Sequence, residues 1–317
     1  MPSMSDPDAT LLDRLHGPLV PVMPAFADDE SLDVDATARW IDHLVGSGIR
    51  LFWTTYGTSH YLAMGDAEID DLTAAVASVT HGRAVFIAST QFTWSTRQCI
   101  AFSERAARLG ADAVKVQIDW RLRPPEPAVF ERYRAIADAS PIPLLSYALG
   151  QGTFGPAGGG PSPDLFARLL DLPQIVGMKN DAGDFYENTA FLAQVRASGR
   201  GFEVITGGSM ESMLHGRRFG QRAYAVALAM LAPEVALAFD AALADGRDDE
   251  ATRIVRDIEQ PFSAALTPVG HWAALHEALR LQGWFTSGRV RFPLRTLDGA
   301  ESDRIAAAMD ALGIART

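Results

Sequence analysis

The chain has very little lysine, a single cysteine and no long hydrophobic run. Of its 28 basic residues only two are lysines, Lys115 and Lys179. A lone cysteine, Cys99, cannot build a disulfide framework, which favours a reducing, cytoplasmic location. No segment approaches the ~18 apolar residues of a membrane span. The formal net charge of −11 argues against nucleic acid or an anionic membrane as a partner, whereas a small molecule is compatible with it.

Short apolar runs alternate with segments of helical spacing along most of the chain. Eight runs are predicted to be strands: 19–24, 51–56, 85–90, 113–119, 143–149, 175–180, 203–207 and 223–229. Eight strand–helix units favour an α/β fold, a (β/α)₈ TIM barrel over residues 14–231. Helical patterns then continue alone, which predicts a helical extension over 232–317 packed on the barrel. Residues 1–13 are polar, lack the features of a secretory signal, and are predicted to be a disordered tail.

Active sites of such barrels lie at the C-terminal ends of the strands, so the residues that close the strands are the candidates. Lys179 closes the sixth strand among apolar neighbours, and burial favours the neutral amine that can attack a carbonyl. The resulting iminium is an electron sink. Tyr147 closes the neighbouring strand, where its phenol could move the proton that leaves as water. Spacing alone is equally compatible with two ordinary residues at the rim of a barrel.

Two further strands, the second and the fourth, carry polar residues within them or at their ends. Thr55, Tyr56, Gly57 and Thr58 combine hydroxyls with a glycine-containing turn, which suits a cradle for a carboxylate. In the fourth strand Lys115 and Asp119 alternate with apolar residues, so we expect them to line the barrel interior. There Lys115 would favour the neutral form of Lys179 or pair with Asp119. A buried pair without a catalytic role is equally compatible with the pattern.

Together the strand order, the closing tyrosine and the Gly-x-Lys of the sixth strand resemble the dihydrodipicolinate synthase / N-acetylneuraminate lyase superfamily of Schiff-base-forming class I aldolases. The resemblance runs from about Gly17 to Leu312. It includes the segments Val20-Pro21-Val22-Met23-Pro24-Ala25-Phe26, Ala106–Val114 and Gly288-Arg289-Val290-Arg291-Phe292-Pro293-Leu294. The fold that the resemblance implies is again the barrel.

Residue by residue, the resemblance implies Lys179 as the imine-forming residue and Tyr147 as the proton shuttle. It places Thr55, Tyr56 and Gly57 where the family holds the substrate carboxylate, and Tyr224 where a backbone carbonyl faces the bound keto acid. Thr55 is also predicted to be a catalytic residue, with Lys179 and Tyr147. Thr58, and Gly207 at the end of the seventh strand, complete the predicted substrate-binding set. No metal or organic cofactor is implied, and the family suggests a homodimer or homotetramer.

The sequence also departs from the family. Thr58 replaces the acidic residue of the cradle, Asp119-Trp120-Arg121 replaces Pro-Tyr-Tyr, and Tyr147-Ala148-Leu149-Gly150 replaces Tyr-Asn-x-Pro. These changes disfavour lysine-biosynthetic synthase activity. The sequence therefore predicts a lyase that cleaves or forms a C–C bond next to a 2-oxo acid such as pyruvate. A dehydratase that acts on a sugar-derived 2-oxo acid through the same imine is the first alternative, and a barrel that binds a 2-oxo acid without turnover is the second.

Two further motifs are interpreted as a helix cap and as a loop. Asp181 and Asp184 are predicted to cap the next helix, although a similar pattern in the dehydratase branch of the family would let Asp181 tune the site. Gly150-x-Gly152-x-x-Gly155 matches a dinucleotide fingerprint, but Pro156 and the glycines after it prevent the helix that would receive the phosphates. That segment is predicted to be a loop over the barrel mouth.

Overall fold

The computed structural model describes residues 10–149, 159–181 and 185–316. Eight parallel strands are β1 (Gly17–Pro21), β4 (Leu51–Trp53), β5 (Val85–Ser89), β6 (Ala113–Lys115), β7 (Leu144–Ala148), β8 (Ile175–Asn180), β9 (Glu203–Thr206) and β10 (Ala223–Ala225). They form a closed barrel in the order β1-β10-β9-β8-β7-β6-β5-β4, which confirms the predicted (β/α)₈ fold. A small antiparallel hairpin, β2 (Ala25–Phe26) and β3 (Leu32–Asp33), lies outside the barrel.

The described helices are α1 (Leu11–Arg14), α2 (Val34–Ser47), α3 (Asp66–Thr80), α4 (Thr96–Leu109), α5 (Glu126–Ala139), α6 (Pro163–Leu170), α7 (Phe185–Ser198), α8 (Met210–Gly216), α9 (Pro233–Ala244), α10 (Asp248–Ile254), α11 (Gln260–Leu266), α12 (His271–Leu281) and α13 (Gly299–Ala311). Local signals fix several of their ends. Ser95 accepts from the Gln98 amide ahead of α4, and Asp298 and Glu301 form a reciprocal capping box ahead of α13. Of the helices described, none is long and apolar enough to cross a membrane.

Several strands end earlier than their apolar patterns predict, and side-chain hydrogen bonds explain two of these ends, those of β6 and β4. β6 stops at Lys115 because Gln117 leaves the ladder: its backbone N–H donates to Thr90 Oγ1 at 3.0 Å and its side chain to Thr90 O at 2.5 Å. β4 stops at Trp53, and the Thr55 N–H donates to Ser59 Oγ at 2.8 Å. Side-chain partners replace the strand-to-strand bonds there, so these residues lie in loops at the strand ends.

The chain divides into two compact units. The first comprises residues up to Gly17 and His81–Ala225, and the second comprises Pro18–Thr80 and Val226–Thr317. In the first unit, aromatic side chains of α6, α7 and the start of β9 pack together: the Phe166 ring lies 4.7 Å from Phe191 and 5.6 Å from Phe202.

In the second unit, Trp40 Nε1 donates to Met230 O at 3.1 Å, and its ring lies 6.0 Å from Phe285. Arg291 forms an ion pair with Glu68 at 2.6 Å. The division at residues 13 and 231 stays a prediction. Most of the predicted tail lies outside the described residues, and α1 begins at Leu11 behind a capping box of Thr10 and Asp13.

Candidate active site

Lys179 and Tyr147 lie side by side at the ends of adjacent parallel strands. The two residues are in register between β8 and β7, and Lys179 Nζ lies 5.1 Å from the centre of the Tyr147 ring. Tyr147 is buried, and the side chain of Lys179 is 11% exposed. An amine in this position is largely shielded from bulk water.

Asp181 joins this pair through its carboxylate. Lys179 Nζ forms an ion pair with Asp181 Oδ2, and the Tyr147 hydroxyl donates to the same oxygen at 3.2 Å. The other oxygen lies against Gly207, where a Cβ atom would overlap Oδ1. The backbone N–H of Asp181 donates to Ala148 O at 3.0 Å, which continues the pairing of the two strands by one residue. The sequence pattern predicts a helix cap or a tuning role for Asp181, and the structure shows its carboxylate in contact with both candidate residues.

The Tyr147 backbone is held from both sides. Trp120 Nε1 donates to Tyr147 O at 2.8 Å, and the Tyr147 N–H donates to the hydroxyl of Tyr133 at 3.1 Å. Tyr133 donates in turn to Val116 O at 3.0 Å, and its burial raises the pKa of this phenol. Sequence reasoning missed Tyr133, whose only signal is a place on the buried face of α5. These bonds fix the strand that carries the phenol.

Lys115 is fully buried one layer below the pair. Lys115 is in register with Leu145, and Leu145 is in register with Gly177. Leu145 precedes Tyr147 by two residues on β7, and Gly177 precedes Lys179 by two residues on β8. Burial, and then the nearby Lys179 ammonium, hold the pKa of Lys115 well below its ordinary value, while Asp181 acts in the opposite direction.

Asp119, the second residue predicted to tune the site, engages a different partner. Its carboxylate receives two hydrogen bonds from the Arg121 guanidinium, at 2.7 and 2.8 Å. A fork of this kind holds both oxygens of a carboxylate in one plane. The Asp119 carboxylate is therefore paired with the Arg121 guanidinium in the loop that follows β6.

A chain of side-chain hydrogen bonds forms the wall beyond Lys179. Asn180 donates to Asn188 at 3.2 Å, Asn188 donates to Gln221 at 3.1 Å, and Gln221 donates to Thr206 at 2.7 Å. This wall borders a cavity of about 330 Å³, which Gly207 also lines. Tyr224 is buried on β10, in register with Thr206. Sequence reasoning missed the amides because they lie on a strand, a helix and a loop that are separate along the chain.

The predicted cradle belongs to the second unit and forms a compact turn. The Tyr61 N–H donates to Tyr56 O at 3.2 Å, and the His60 N–H donates to Gly57 O at 3.0 Å. Thr55 is buried, while Tyr56, Gly57 and Thr58 are half-buried. The ring of Trp272, on α12, packs so closely on Gly57 that a Cβ there would overlap it.

Two buried histidines lie behind this turn. The His60 ring, at a positive φ of 53°, is 6.2 Å from the ring of His276. Burial, with help from Arg291, lowers the pKa of His60 to about 4. Burial, with help from His60, lowers the pKa of His276 to about 3. Both rings are therefore neutral near pH 7. The predicted loop 150–158 and Asp184 lie outside the described residues.

Known proteins of similar sequence are lyases and dehydratases. The chain is 27% identical over 303 residues to a probable 5-dehydro-4-deoxyglucarate dehydratase of Streptomyces avermitilis, with 92% of this chain and 87% of that protein covered. It is 29% identical over 300 residues to an uncharacterised DapA-like lyase of Halobacterium salinarum, with 95% of each covered.

A solved structure gives the same fold. YagE, a prophage protein of the dihydrodipicolinic acid synthase family from E. coli K12 solved in complex with pyruvate, matches with a TM-score of 0.83 at 22% identity. The match covers 95% of this chain and 99% of that one. At this identity the likeness supports the fold alone.

The model of the dihydrodipicolinate synthetase family matches residues 14–312. This range agrees with the resemblance drawn from Gly17 to Leu312, and the relatives confirm the predicted enzyme class, a lyase. The chain belongs to the dihydrodipicolinate synthetase family.

Proposed function

We propose that Lys179 forms a Schiff base with a 2-oxo acid such as pyruvate, and that the protein is a class I aldolase-type lyase acting through this imine. The observation that carries the proposal is the position of the amine. Lys179 closes a barrel strand, is nearly buried, and lies 5.1 Å from the ring of Tyr147 with a carboxylate beside both. Amine, phenol and carboxylate are the groups that imine formation and proton transfer require.

The proposed chemistry follows because a protonated imine can accept an electron pair from a neighbouring bond. The Lys179 nitrogen bonds to C2 of the oxo acid, the carbonyl oxygen leaves as water, and a positively charged iminium remains. That charge accepts the electron pair of the C3–C4 bond when the bond breaks, which gives an enamine and releases the rest of the substrate as an aldehyde. The reverse sequence forms the bond. Tyr147 is proposed to carry protons in these steps.

The test is intact mass after incubation with pyruvate and borohydride. Reduction of the imine fixes pyruvate on the protein, so we expect a stable adduct that maps to Lys179 and is absent from Lys179→Ala. Lys115→Ala is the matched control, because Lys115 is the only other lysine of the chain and is fully buried. Absence of an adduct with pyruvate and with longer 2-oxo acids would contradict the proposal and favour a barrel that binds without turnover.

A dehydratase is the second candidate, and the polar wall beyond Lys179 favours it. Amide and hydroxyl groups line a cavity of about 330 Å³ that begins at Asn180, and these groups suit the hydroxyls of a sugar-derived 2-oxo acid. The Streptomyces avermitilis relative bears the name of such a dehydratase. A lactate-dehydrogenase-coupled assay separates the two candidates, because aldol cleavage releases pyruvate and loss of water does not.

The remaining roles are separate proposals. Thr55, Tyr56, Gly57 and Thr58 are proposed to hold the substrate carboxylate, and Gly207 and Tyr224 to contact substrate. Substitution of Thr55 by valine tests the first, with a raised KM for the oxo acid as the expected result. A homodimer or homotetramer and a cytoplasmic location also stay proposals, which sedimentation and cell fractionation would test.

A further inference from the structure

The carboxylate of Asp181 lies between the amine and the phenol of the candidate site. Lys179 Nζ forms its ion pair with Oδ2, and the Tyr147 hydroxyl donates to that same oxygen at 3.2 Å. A lysine that pairs with a carboxylate as an ammonium cannot attack a carbonyl until it has lost a proton. Some group must therefore remove that proton when substrate arrives, and the nearest acceptor is already in contact with it.

The surrounding backbone holds the carboxylate in this position. Asp181 follows β8 directly, its N–H donates to Ala148 O at 3.0 Å, and the Gly207 N–H donates to the carbonyl of Asn180 at 2.9 Å. The absence of a side chain on Gly207 leaves the space that Asp181 Oδ1 occupies. The carboxylate side chain is 13% exposed, so its contact with the ammonium is screened less than at the surface.

We propose that Asp181 is a catalytic residue of imine formation, which accepts a proton from the Lys179 ammonium and then delivers it to the departing hydroxyl. This inference rests on the proposed Schiff-base function and deepens it. Tyr147, which donates to Asp181, orients the carboxylate and relays protons to and from it.

The steps balance in atoms and charge. Asp181 takes one proton from the Lys179 ammonium, and the neutral amine bonds to C2 while the carbonyl π electrons move to oxygen. A second proton passes from nitrogen to that oxygen, which gives a carbinolamine. Asp181 then returns its proton to the hydroxyl, the C–O bond breaks with loss of water, and the nitrogen lone pair forms the iminium. Asp181 ends as a carboxylate, ready for the next proton.

A carboxylate suits this task better than the phenol alone. A phenol with a pKa of about 10 is protonated at neutral pH and cannot accept a proton until it has lost its own, whereas a carboxylate can accept one at once. The titratable groups of the described residues that surround Asp181 are Lys179 on β8, Tyr147 on β7 and the buried Lys115 on β6. His215 and Glu211 of α8 line the cavity on the Gly207 side.

The test compares rates of imine trapping by pyruvate and cyanoborohydride in the full-length protein. We expect Asp181→Asn to trap at least 100-fold more slowly than wild type at pH 7, and to reach the same adduct mass after long incubation. Its rate should rise with pH, because hydroxide must then take the proton, and added formate should accelerate it. Asp181→Glu should recover part of the rate. Asp112→Asn, which removes an ion-paired carboxylate at the start of β6, is the matched control and should trap at the wild-type rate.

A second variant keeps every reacting side chain. Gly207→Ala would displace the carboxylate by steric overlap, so we expect slow trapping from it as well. Trapping at the wild-type rate by a folded Asp181→Asn or Gly207→Ala protein would overturn the inference, and so would a slow Asp181→Asn rate that neither rises with pH nor responds to formate. Failure of the wild type to trap any 2-oxo acid would refute the proposed function itself, which distinguishes the two failures.

Discussion

Lys115 and Lys179 project from the same face of the sheet, with Lys115 fully buried one layer below. The strand register sets this arrangement: Lys115 pairs with Leu145, Leu145 with Gly177, and Lys179 follows Gly177 by two residues. The Lys179 charge is one cause of the low pKa of Lys115. The two amines therefore lie close enough to interact electrostatically.

Lys115→Met tests this coupling. Methionine replaces a buried amine with an apolar chain of similar length, so we expect the variant to fold. Loss of a buried amine that interacts with Lys179 should shift the pH at which imine trapping is half-maximal by up to about one unit. The measurement is the trapping rate between pH 5 and 9. An unchanged profile would show that Lys115 is structural only.

Tyr147→Phe should separate chemistry from stability. The variant keeps the ring beside Lys179 and loses the hydroxyl that donates to Asp181, so we expect a fall in kcat of about 100-fold or more with little change in melting temperature. Tyr133→Phe is its matched partner, because that hydroxyl bonds Val116 O and the Tyr147 N–H inside the core. Its loss should lower the free energy of unfolding by about 1–3 kcal/mol. Equal effects of the two variants on kcat would contradict the assignment of roles.

Gly57→Ala should destabilise the turn of the predicted cradle. An added Cβ overlaps the Trp272 ring, and we expect a loss of about 1–3 kcal/mol in the free energy of unfolding by urea. Gly46→Ala is the control: it lies in α2 with open space around its Cβ position, and should be stabilising by about 0.5–1 kcal/mol. Tolerance of Gly57→Ala would show that Trp272 moves away at little cost.

The buried histidines should make the protein sensitive to acid. Unfolded histidine binds a proton below its ordinary pKa of 6.5, whereas folded His60 and His276 bind one only below about 4 and about 3. Between pH 6.5 and 4 the unfolded state therefore binds more protons, so stability falls as the pH falls through that window. Each histidine contributes up to about 1.4 kcal/mol per pH unit.

Urea unfolding of variants at pH 7 and pH 5 measures this effect. His276→Phe, which fits among aromatic rings, should reduce the loss of stability at pH 5, and His60→Asn should do so while tolerating the positive φ. Exposed His81→Gln is the control and should leave the loss unchanged. Burial raises the pKa of Asp240 to about 6, so this group makes the folded protein more stable as the pH falls and opposes the effect of the histidines. The test therefore compares the loss of stability of each variant with that of the wild type. A loss at pH 5 that no histidine variant reduces would contradict the assignment.

The sequence predicted the barrel because each strand is marked by a short local run of apolar residues. Eight such runs occur along the chain and alternate with segments of helical spacing. It also predicted that Tyr147 and Lys179 close neighbouring strands, since parallel strands bring their ends together. It did not decide between a cap and a tuning role for Asp181, because a carboxylate directly after a strand suits a helix cap as well as an ion pair. It also missed Tyr133, whose hydroxyl reaches the Tyr147 backbone only through tertiary packing.

The complete burial of Lys115 has a practical consequence for labelling. Lys115 and Lys179 are the only lysines of the chain, and only Lys179 retains exposed side-chain surface. Acylating, glycating or aldehyde reagents that seek lysine amines will therefore find a single side chain on the folded protein. Modification of that side chain would test the proposed role of Lys179, because the modified amine could no longer form an imine.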